Sequence, residues 1–366
     1  MMDSFAFIIH PINPKRDVSR KFPLLGRVLS EPLIDFFSTF FPPIYLSEVQ
    51  GITSQATGKE IKGWLIAAPY TPRRMLQLPE ASVYRKIIQT GRMAERLGAQ
   101  ILGLGAFTSV IGDAGITISN GLDVPVTTGD AYTIAVAVEA LEEAAHLMEW
   151  PIAQTRAAVV GATGTIGRVC AELLAGKVAE LHLIGRRESA LRELRTHIQS
   201  QSPRARLMVS TDLDGLRDTP LVLTVTSDLG SIIEPEHLQP GSVVCDVARP
   251  RDVSATVMAQ RDDVLVIEGG MVEVPGPASF NFDFGFPQGK AYACMAETMA
   301  LALEGRFENF TLGKDIKKEK VEEIAAIAQK HGFQLSGFRS FEQAVSAEHI
   351  EKVRQRARHG QRPVWV

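Results

Sequence analysis

Several features that would indicate other classes of protein are scarce in this sequence. Only three cysteines occur in 366 residues, Cys170, Cys245 and Cys294, and they lie far apart. Such a set predicts neither a disulfide framework nor a cysteine metal site, and it favours a reducing, cytoplasmic compartment. The 39 basic residues are balanced by 42 acidic ones. We therefore expect no nucleic acid partner, because nucleic acid binding requires a basic surface.

Long apolar segments are also missing. No run reaches the roughly 20 apolar residues of a membrane-spanning helix. The N-terminal Met-Met-Asp-Ser-Phe-Ala-Phe-Ile-Ile lacks the basic leader of a secretory signal. With 45% hydrophobic and 22% charged residues, the composition is typical of a globular protein with a sizeable core. The length favours two domains.

A glycine-rich stretch in the middle of the chain gives the first functional signal. An apolar run, residues 157–160, leads into Gly161, Gly164 and Gly167 and then into a segment of helical character. A strand, a tight turn and a helix start in this order bring backbone N–H groups up to a phosphate. Thr163 replaces the second glycine of the usual G-x-G-x-x-G pattern, so a purely structural turn is the alternative.

The end of the next predicted strand, residues 181–184, indicates which dinucleotide binds. Arg186 and Arg187 follow it, where an NAD-binding unit usually has an acidic residue. Two guanidinium groups suit a 2′-phosphate, so the sequence predicts NADPH, while the nearby Glu188 leaves NAD open. The candidate cofactor-binding residues are glycine-loop and strand-end positions: Gly161, Ala162, Thr163, Gly164, Thr165, Ile166, Gly167, Arg186, Arg187, Thr226, Ser227, Val247, Gly269 and Gly270.

A cysteine in the last third of the chain is a candidate nucleophile. We predict a helix that begins near Lys290, with Cys294 in its second turn, Lys290 on the same face and Glu297 three residues later. The ammonium group and the field of the helix N-terminus would both favour the thiolate. Buried packing is the alternative. Cys170 is predicted to lie in the core, whereas Cys245, at a strand end, remains a competitor for the reactive role.

The alternation of strands and helices predicts an α/β fold, with a Rossmann doubly wound parallel sheet plus an N-terminal α/β substrate domain completed by C-terminal helices. Residues 1–151 are the expected substrate and catalytic domain, and residues 152–285 the NADP(H)-binding domain. Residues 286–336 should return to the N-terminal domain and place Cys294 opposite the nicotinamide. Residues 337–366 form a basic extension, either solvated or bound to an acidic partner.

The N-terminal half contains an unusually apolar segment and two polar loops. Residues 22–46 combine four prolines with a predicted helical patch of leucine and phenylalanine. Core packing is the favoured interpretation, with an acyl-chain channel or a peripheral membrane contact as the alternative. The loops at 105–109 and 127–130 precede helices, and they either cap these helices, with Asp130 as an N-cap, or line a substrate site.

An ordered set of stretches resembles the cyanobacterial long-chain acyl-acyl carrier protein reductases, which make fatty aldehydes. The stretches are residues 15–20, 54–59, 105–111, 127–130, 159–167, 269–273, 293–297 and 304–305. The resemblance implies that Cys294 accepts the acyl group and that NADPH supplies the hydride. The thiolate attacks the thioester, the carrier thiol leaves, and reduction gives a hemithioacetal that collapses to the aldehyde. It also implies an acyl carrier protein or coenzyme A thioester as substrate, and an aldehyde-consuming enzyme as a further partner.

That reaction needs a donor for the oxyanion and an acid for the departing thiol. Thr108, Ser109 and the Gly129 backbone are the candidate donors. The family has Thr-Thr-Gly-Asn followed by a polar residue and a histidine, whereas this chain has Asp130-Ala131-Tyr132. Either Tyr132 or His10 would then replace the histidine, or the substrate differs. The candidate catalytic residues are therefore Cys294, Ser109, Thr108, Tyr132, His10 and Lys290.

Two other functions remain open at this point. An NADP-dependent alcohol or keto-acid dehydrogenase with a shikimate-dehydrogenase-like layout would use a Lys/Asp pair, and Cys294 would only pack. The N-terminal half shows no convincing pair of that kind. A non-catalytic NADP(H)-binding regulator would bind the cofactor and turn over no thioester, carbonyl or alcohol.

Overall fold

The computed structural model describes residues 2–105, 107–201, 203–228 and 230–360. By packing, the chain divides into two compact units. The first comprises the chain up to Thr133 together with Val272–Ser336, and the second comprises Ile134–Met271 and continues from Gly337. Among the described residues, no helix is both long enough and apolar enough to cross a membrane.

The first unit is built on a five-stranded mixed sheet. Its elements in chain order are β1 (Ser4–Ile9), α1 (Pro14–Lys21), α2 (Pro23–Val28), α3 (Glu31–Ser38), β2 (Ile44–Thr53), β3 (Glu60–Ala67), α4 (Pro72–Gln77), α5 (Glu80–Leu97), β4 (Leu102–Leu104), α6 (Phe107–Val110), α7 (Ile116–Asn120), β5 (Val126–Thr127) and the start of α8 (Asp130–Leu147). The strand order is β2-β3-β1-β4-β5, and β2 alone runs antiparallel to its neighbour.

Helix α5 covers one face of this sheet. Its buried residues Val83, Ile87 and Ala94 pack with Ala6 and Ile8 of β1 in one apolar core. The helix ends at Gly98, whose φ of +88° is in the left-handed region where glycine is favoured.

The second unit contains a parallel six-stranded sheet. Its elements are β6 (Arg156–Val160), α9 (Thr165–Ala175), β7 (Glu180–Ile184), α10 (Glu188–Ser200), β8 (Arg206–Ser210), β9 (Leu221–Thr224), β10 (Val243–Asp246), α11 (Ala255–Gln260) and β11 (Leu265–Glu268). The order β8-β7-β6-β9-β10-β11 runs outwards in both directions from β6. This is the doubly wound order of dinucleotide-binding folds. The predicted α/β class and Rossmann sheet are confirmed.

The chain then returns to the first unit before it ends in the second. The remaining elements are β12 (Met271–Glu273), β13 (Lys290–Tyr292), α12 (Ala293–Glu304), α13 (Lys318–His331), β14 (Gln334–Leu335), β15 (Arg339–Ser340), β16 (Gln343–Ala344) and α14 (Ala347–Gly360). Strands β12, β13 and β14 form a small sheet in the order β13-β12-β14.

The start of the cysteine-bearing helix differs from the prediction. Helix α12 begins at Ala293, and Lys290 belongs to β13 instead of to the helix. The expected pairing of Lys290 and Cys294 on one helical face is therefore wrong. The physical reason is that the backbone of residues 290–292 pairs with β12, a contact that spacing within the helix cannot indicate.

The C-terminal segment forms a helix that packs on the second unit. Ile350, Val353 and Ala357 of α14 are buried. Arg354 and Arg358 both pair with Glu149, so part of the basic character predicted for 337–366 is balanced within the chain. Arg362, also counted in that basic end, lies outside the described residues.

Candidate functional site

Cys294 is the second residue of α12 and lies in its first turn, not in its second as predicted. Its side chain is partly exposed. A thiol at this position feels the positive end of the helix dipole, which favours the thiolate. Of the two influences expected to activate Cys294, the helix dipole is therefore present, whereas the lysine on the same helical face is not.

The loop before α8 packs directly against Cys294. Gly129 has a φ of +78°, and a Cβ at this position would lie 2.4 Å from both Cα and Cβ of Cys294. Only glycine fits so close an approach with that backbone conformation. The structure therefore brings the polar loop at 127–130 to the cysteine.

Glu297 holds this loop to α12. Its carboxylate is fully buried and accepts hydrogen bonds from the Thr127 and Thr311 hydroxyls and from the Tyr132 amide. The Gly129 amide also bonds to it, so that N–H group is already engaged and is a weak candidate for an oxyanion donor. Burial raises the pKa of Glu297, and the four hydrogen bonds oppose that rise.

Asp130 is a second buried carboxyl group beside Glu297. Burial is the main cause that raises its pKa to about 7, and the charge of Glu297 adds to it, while a hydrogen bond with Thr128 acts in the opposite direction. The predicted N-cap role is off by one residue. Gly129 is the residue before the helix, and its carbonyl accepts from the Thr133 amide. Asp130 is the first helical residue.

His10 supports the other polar loop. Its Nε2 atom accepts a hydrogen bond of 3.0 Å from the Phe107 amide. Burial lowers the pKa of His10 to about 4, so the ring is neutral at neutral pH. Protonation of Nε2 would break this hydrogen bond, because Nε2 is the acceptor. The geometry favours a positioning role for His10, and its predicted catalytic role stays a prediction.

Thr108 and Ser109 are buried residues of the short helix α6. The Thr108 hydroxyl donates to the Gly105 carbonyl at 2.8 Å and accepts from the Gly105 amide at 3.1 Å. Its proton is thus used within the loop, which makes Thr108 a weak candidate for an oxyanion donor.

The two remaining candidate catalytic residues, Tyr132 and Lys290, have different environments. Tyr132 is buried in the first turn of α8, where its amide bonds to Glu297 and so to the Cys294 helix. The Nζ atom of Lys290 lies 3.5 Å from the Ser336 carbonyl and 3.8 Å from a Glu273 carboxylate oxygen. These contacts give Lys290 a structural role at the small sheet.

The other two cysteines are poorly suited to react. Both Cys170 and Cys245 are fully buried. Burial raises the pKa of the Cys170 thiol to about 12 and also raises that of Cys245, to which the neighbouring Asp246 adds. Of the three cysteines, Cys294 is therefore the most accessible, and its reactive role stays a prediction.

Two contributions to this site were missed from the sequence. Lys59 donates from Nζ to the carbonyls of Ala302 (3.2 Å) and Leu303 (2.9 Å), and thereby caps the C-terminus of α12. Thr311 binds Glu297 from a segment 14 residues further along the chain. A glutamate within an otherwise apolar helix was the available signal, since a buried carboxylate requires several donors.

The glycine loop of the second unit fits a dinucleotide phosphate. Gly161 has a φ of +83°, and a Cβ there would lie 2.6 Å from the Val225 carbonyl. A Cβ on Gly167 would lie 2.2 Å from the Gly161 carbonyl, so α9 can pack this close to the loop only with glycine. The N-cap residue Gly164 offers no side-chain cap. The first-turn N–H groups of α9, at Thr165 and Ile166, are thus suited to an anion.

The other predicted cofactor positions surround the carboxyl ends of these strands. Arg186 and Arg187 are exposed after β7, and the nearby Glu188 is paired with Arg192. Asp252 accepts from the amide and the hydroxyl of Thr226 and fixes the end of β9. Of the remaining positions, three are buried: Ala162, Gly269 and Gly270. Thr163 and Val247 are partly buried, and Ser227 is exposed.

The chain is similar to known proteins over most of its length. The family described as shikimate / quinate 5-dehydrogenase matches residues 142–268, which contain the glycine loop. The long-chain acyl-[acyl-carrier-protein] reductase of Synechococcus elongatus (strain ATCC 33912 / PCC 7942 / FACHB-805) is 30% identical over 352 residues, covering 90% of this chain and 98% of that protein. The chain belongs to this acyl-[acyl-carrier-protein] reductase family.

Other similar proteins include an aminotransferase and a dehydrogenase. Aminotransferase PigE of Serratia sp. (strain ATCC 39006) is 32% identical over 314 residues. The aligned region covers 84% of this chain but only 36% of PigE, so the chain spans about a third of the length of that protein. The L-tryptophan dehydrogenase of Nostoc punctiforme is a solved structure with 11% identity and a TM-score of 0.41, over 97% of this chain and 88% of that chain. Membership of the reductase family and the Rossmann unit support an oxidoreductase that uses a nicotinamide cofactor.

Proposed function

We propose that this protein reduces a long-chain acyl thioester to a fatty aldehyde with NADPH, through a thioester on Cys294. The observation that carries the proposal is the position of Cys294. In a chain of the acyl-[acyl-carrier-protein] reductase family, it is the partly exposed cysteine, at a helix N-terminus against the Gly129 loop.

The residues of the first unit support each protein-side step. The helix dipole favours the Cys294 thiolate, which attacks the thioester carbonyl, and the carrier thiol leaves with a proton. Bound NADPH supplies the hydride that reduces the resulting enzyme thioester. Ser109 is the candidate donor to the oxyanion, and Tyr132 or Asp130 is the candidate source of the proton. Release of the aldehyde from the hemithioacetal restores the thiolate.

The choice of NADPH over NADH rests on the end of β7. Arg186 and Arg187 are exposed there, and the nearby acid Glu188 is paired with Arg192. A ribose 2′-hydroxyl is usually bound by an acidic residue and a 2′-phosphate by arginine. These residues therefore suit the phosphorylated cofactor.

The substrate carrier and the partners are also part of the proposal. The family favours an acyl carrier protein as the carrier, with coenzyme A as the alternative. Phe286 and Tyr292, whose ring centroids are 4.3 Å apart, form an aromatic pair in the segment that leads into α12. An enzyme that consumes the aldehyde and a cytoplasmic location complete the proposal.

The experiment is a turnover assay with acyl carrier protein and coenzyme A thioesters. We expect NADPH oxidation and aldehyde formation by the wild type, and a loss of at least about 100-fold in Cys294→Ala, since the nucleophile is essential. Cys245→Ala is the matched control and should keep most of the activity. A Cys294→Ala variant with nearly full activity would contradict the proposal.

The match to the shikimate / quinate 5-dehydrogenase family favours one second candidate. An NADP-dependent alcohol or keto-acid dehydrogenase would oxidise or reduce a substrate that never becomes bound to the protein. It predicts turnover of alcohols or keto acids that does not depend on Cys294. A protein that binds NADPH but turns over none of these substrates would instead be a regulator.

A further inference from the structure

The helices α1 to α3 expose an apolar surface to solvent, although the sequence favoured core packing for this segment. That expectation is wrong for most of its large apolar side chains. We call the following nine residues the apolar helical surface: Phe22, Leu24, Leu25, Val28, Leu33, Phe36, Phe37, Phe40 and Phe41, which are between 36% and 79% exposed. Its five phenylalanines alone expose roughly 500 Å², at about 200 Å² for each complete side chain.

Helix α3 shows that this exposure follows from its orientation. Ile34 and Ser38, four residues apart, face the protein and are buried. The opposite side of α3 and of the residues directly after it exposes Leu33, Phe36, Phe37 and Phe40. The ring centroid of Phe36 lies 5.5 Å from that of Phe37 and 5.6 Å from that of Phe40. An amphipathic helix of a globular protein normally turns its polar face outwards. Here the apolar stripe faces solvent.

Polar contacts fix α3 in this orientation. The Asp35 carboxylate accepts from the Thr71 hydroxyl, and Arg74 Nε donates to the Thr39 hydroxyl at 2.8 Å. Lys86 Nζ donates to the Phe41 carbonyl at 2.5 Å. The polar groups of α3 and of the residues that follow it therefore bond to the rest of the first unit. An apolar surface of several hundred Å² that is held outwards on helices packed against one another marks a binding surface.

The charge of the same segment indicates what the surface binds. Residues 14–41 contain five basic and three acidic residues, in a chain with a net charge of −3. Asp17 pairs with Arg16 and Arg20, and Asp35 bonds to Thr71, so the segment keeps an excess of two basic residues. Exposed basic groups, Lys15 and Arg27 among them, accompany the exposed phenylalanines.

We propose that the apolar helical surface docks the protein on the face of an anionic phospholipid bilayer. Phenylalanine and leucine side chains enter the boundary between head groups and acyl chains, and nearby lysine and arginine side chains attract the phosphate groups. A second copy of the chain is a less suitable occupant, because a two-fold contact would bring the same basic segments together. The inference does not depend on the proposed reaction.

The test is sedimentation of the full chain with vesicles of phosphatidylcholine alone or mixed with phosphatidylglycerol. The wild type should bind the anionic vesicles, and the triple variant Phe36→Ser/Phe37→Ser/Phe40→Ser should bind about tenfold more weakly or not at all. Met258→Ser, which removes an exposed apolar side chain of the second unit, is the matched control and should bind like the wild type. Lys15→Glu/Arg27→Glu should weaken binding, as should raising the salt to about 0.5 M.

A second measurement reports on the surface itself. In Phe40→Trp, the emission should shift to shorter wavelength when anionic vesicles are added, whereas Met258→Trp should show no such shift. Failure of the wild type to bind anionic vesicles, or equal binding by the triple variant, would overturn the proposal. The proposal would also be overturned if the wild type does not bind vesicles and sedimentation equilibrium shows a dimer that the triple variant no longer forms.

Discussion

At the scale of single residues, the first unit places three unusual side chains close together. Cys294 is partly exposed at a helix start, and Glu297 and Asp130 are buried carboxyl groups. Glu297 has four hydrogen-bond donors, which suit a carboxylate. Asp130 has fewer, and its pKa is raised to about 7. Asp130 can therefore exchange a proton near neutral pH, and burial raises the pKa of Glu297 as well.

The raised pKa of Asp130 predicts how stability depends on pH. The folded protein holds the Asp130 proton up to about pH 7, whereas the unfolded chain releases it near the ordinary aspartate pKa of 3.8. The folded state binds more protons in this window, so stability falls as pH rises from about 4 to about 7. Asp130→Asn removes that dependence.

We therefore expect Asp130→Asn to be more stable than the wild type at pH 8, by an amount of order 1–4 kcal/mol, and about equally stable at pH 4. Urea unfolding across this pH range measures the difference. Asp123→Asn, at an exposed aspartate, is the matched control. A stability difference that does not change with pH would contradict the assignment.

At the scale of elements, α12 is held at both ends by residues distant in the sequence. The Gly129 loop and Glu297 fix its start, and Lys59 caps its end. Gly305 ends it with a φ of +75°, as predicted from local sequence. The position of the Cys294 thiol thus depends on contacts from several parts of the first unit.

Gly129→Ala should displace the cysteine. The new Cβ would overlap the Cys294 backbone, and the residue would also keep a strained positive φ. We expect a loss of activity of about 100-fold and a destabilisation of about 2 kcal/mol or more. Gly58→Ala is a sharp control, because Gly58 has a φ of +69° but has open space at its Cβ position. If both variants lose activity equally, contact with Cys294 is not the cause.

The βα turn of the second unit carries the prediction on cofactor choice. In Arg186→Ala/Arg187→Ala, we expect the Kd for NADPH to rise about 10- to 100-fold and that for NADH to change little, because only the 2′-phosphate contact is removed. Titration calorimetry with both cofactors measures this, with Arg217→Ala, at an exposed arginine elsewhere in the second unit, as the control. An equal loss for both cofactors would show that these arginines do not select the phosphate.

At the scale of the whole molecule, local signals were predictable and distant contacts were not. The strand, turn and helix around Gly161 follow from neighbouring residues, and this prediction was correct. The strand at Lys290 depends on pairing with β12, and the donors to Glu297 come from segments up to 170 residues away. Exposure of Phe36 and Phe40 likewise depends on how α3 is anchored, which the apolar pattern alone does not reveal.

The central claim is that the acyl group passes through Cys294. The most direct test is mass spectrometry of the protein after incubation with an acyl carrier protein thioester, first without NADPH and then after its addition. The account predicts one acyl group on the peptide that contains Cys294, and its loss as aldehyde when NADPH is added. An adduct on Cys245, or no adduct although aldehyde forms, would contradict it.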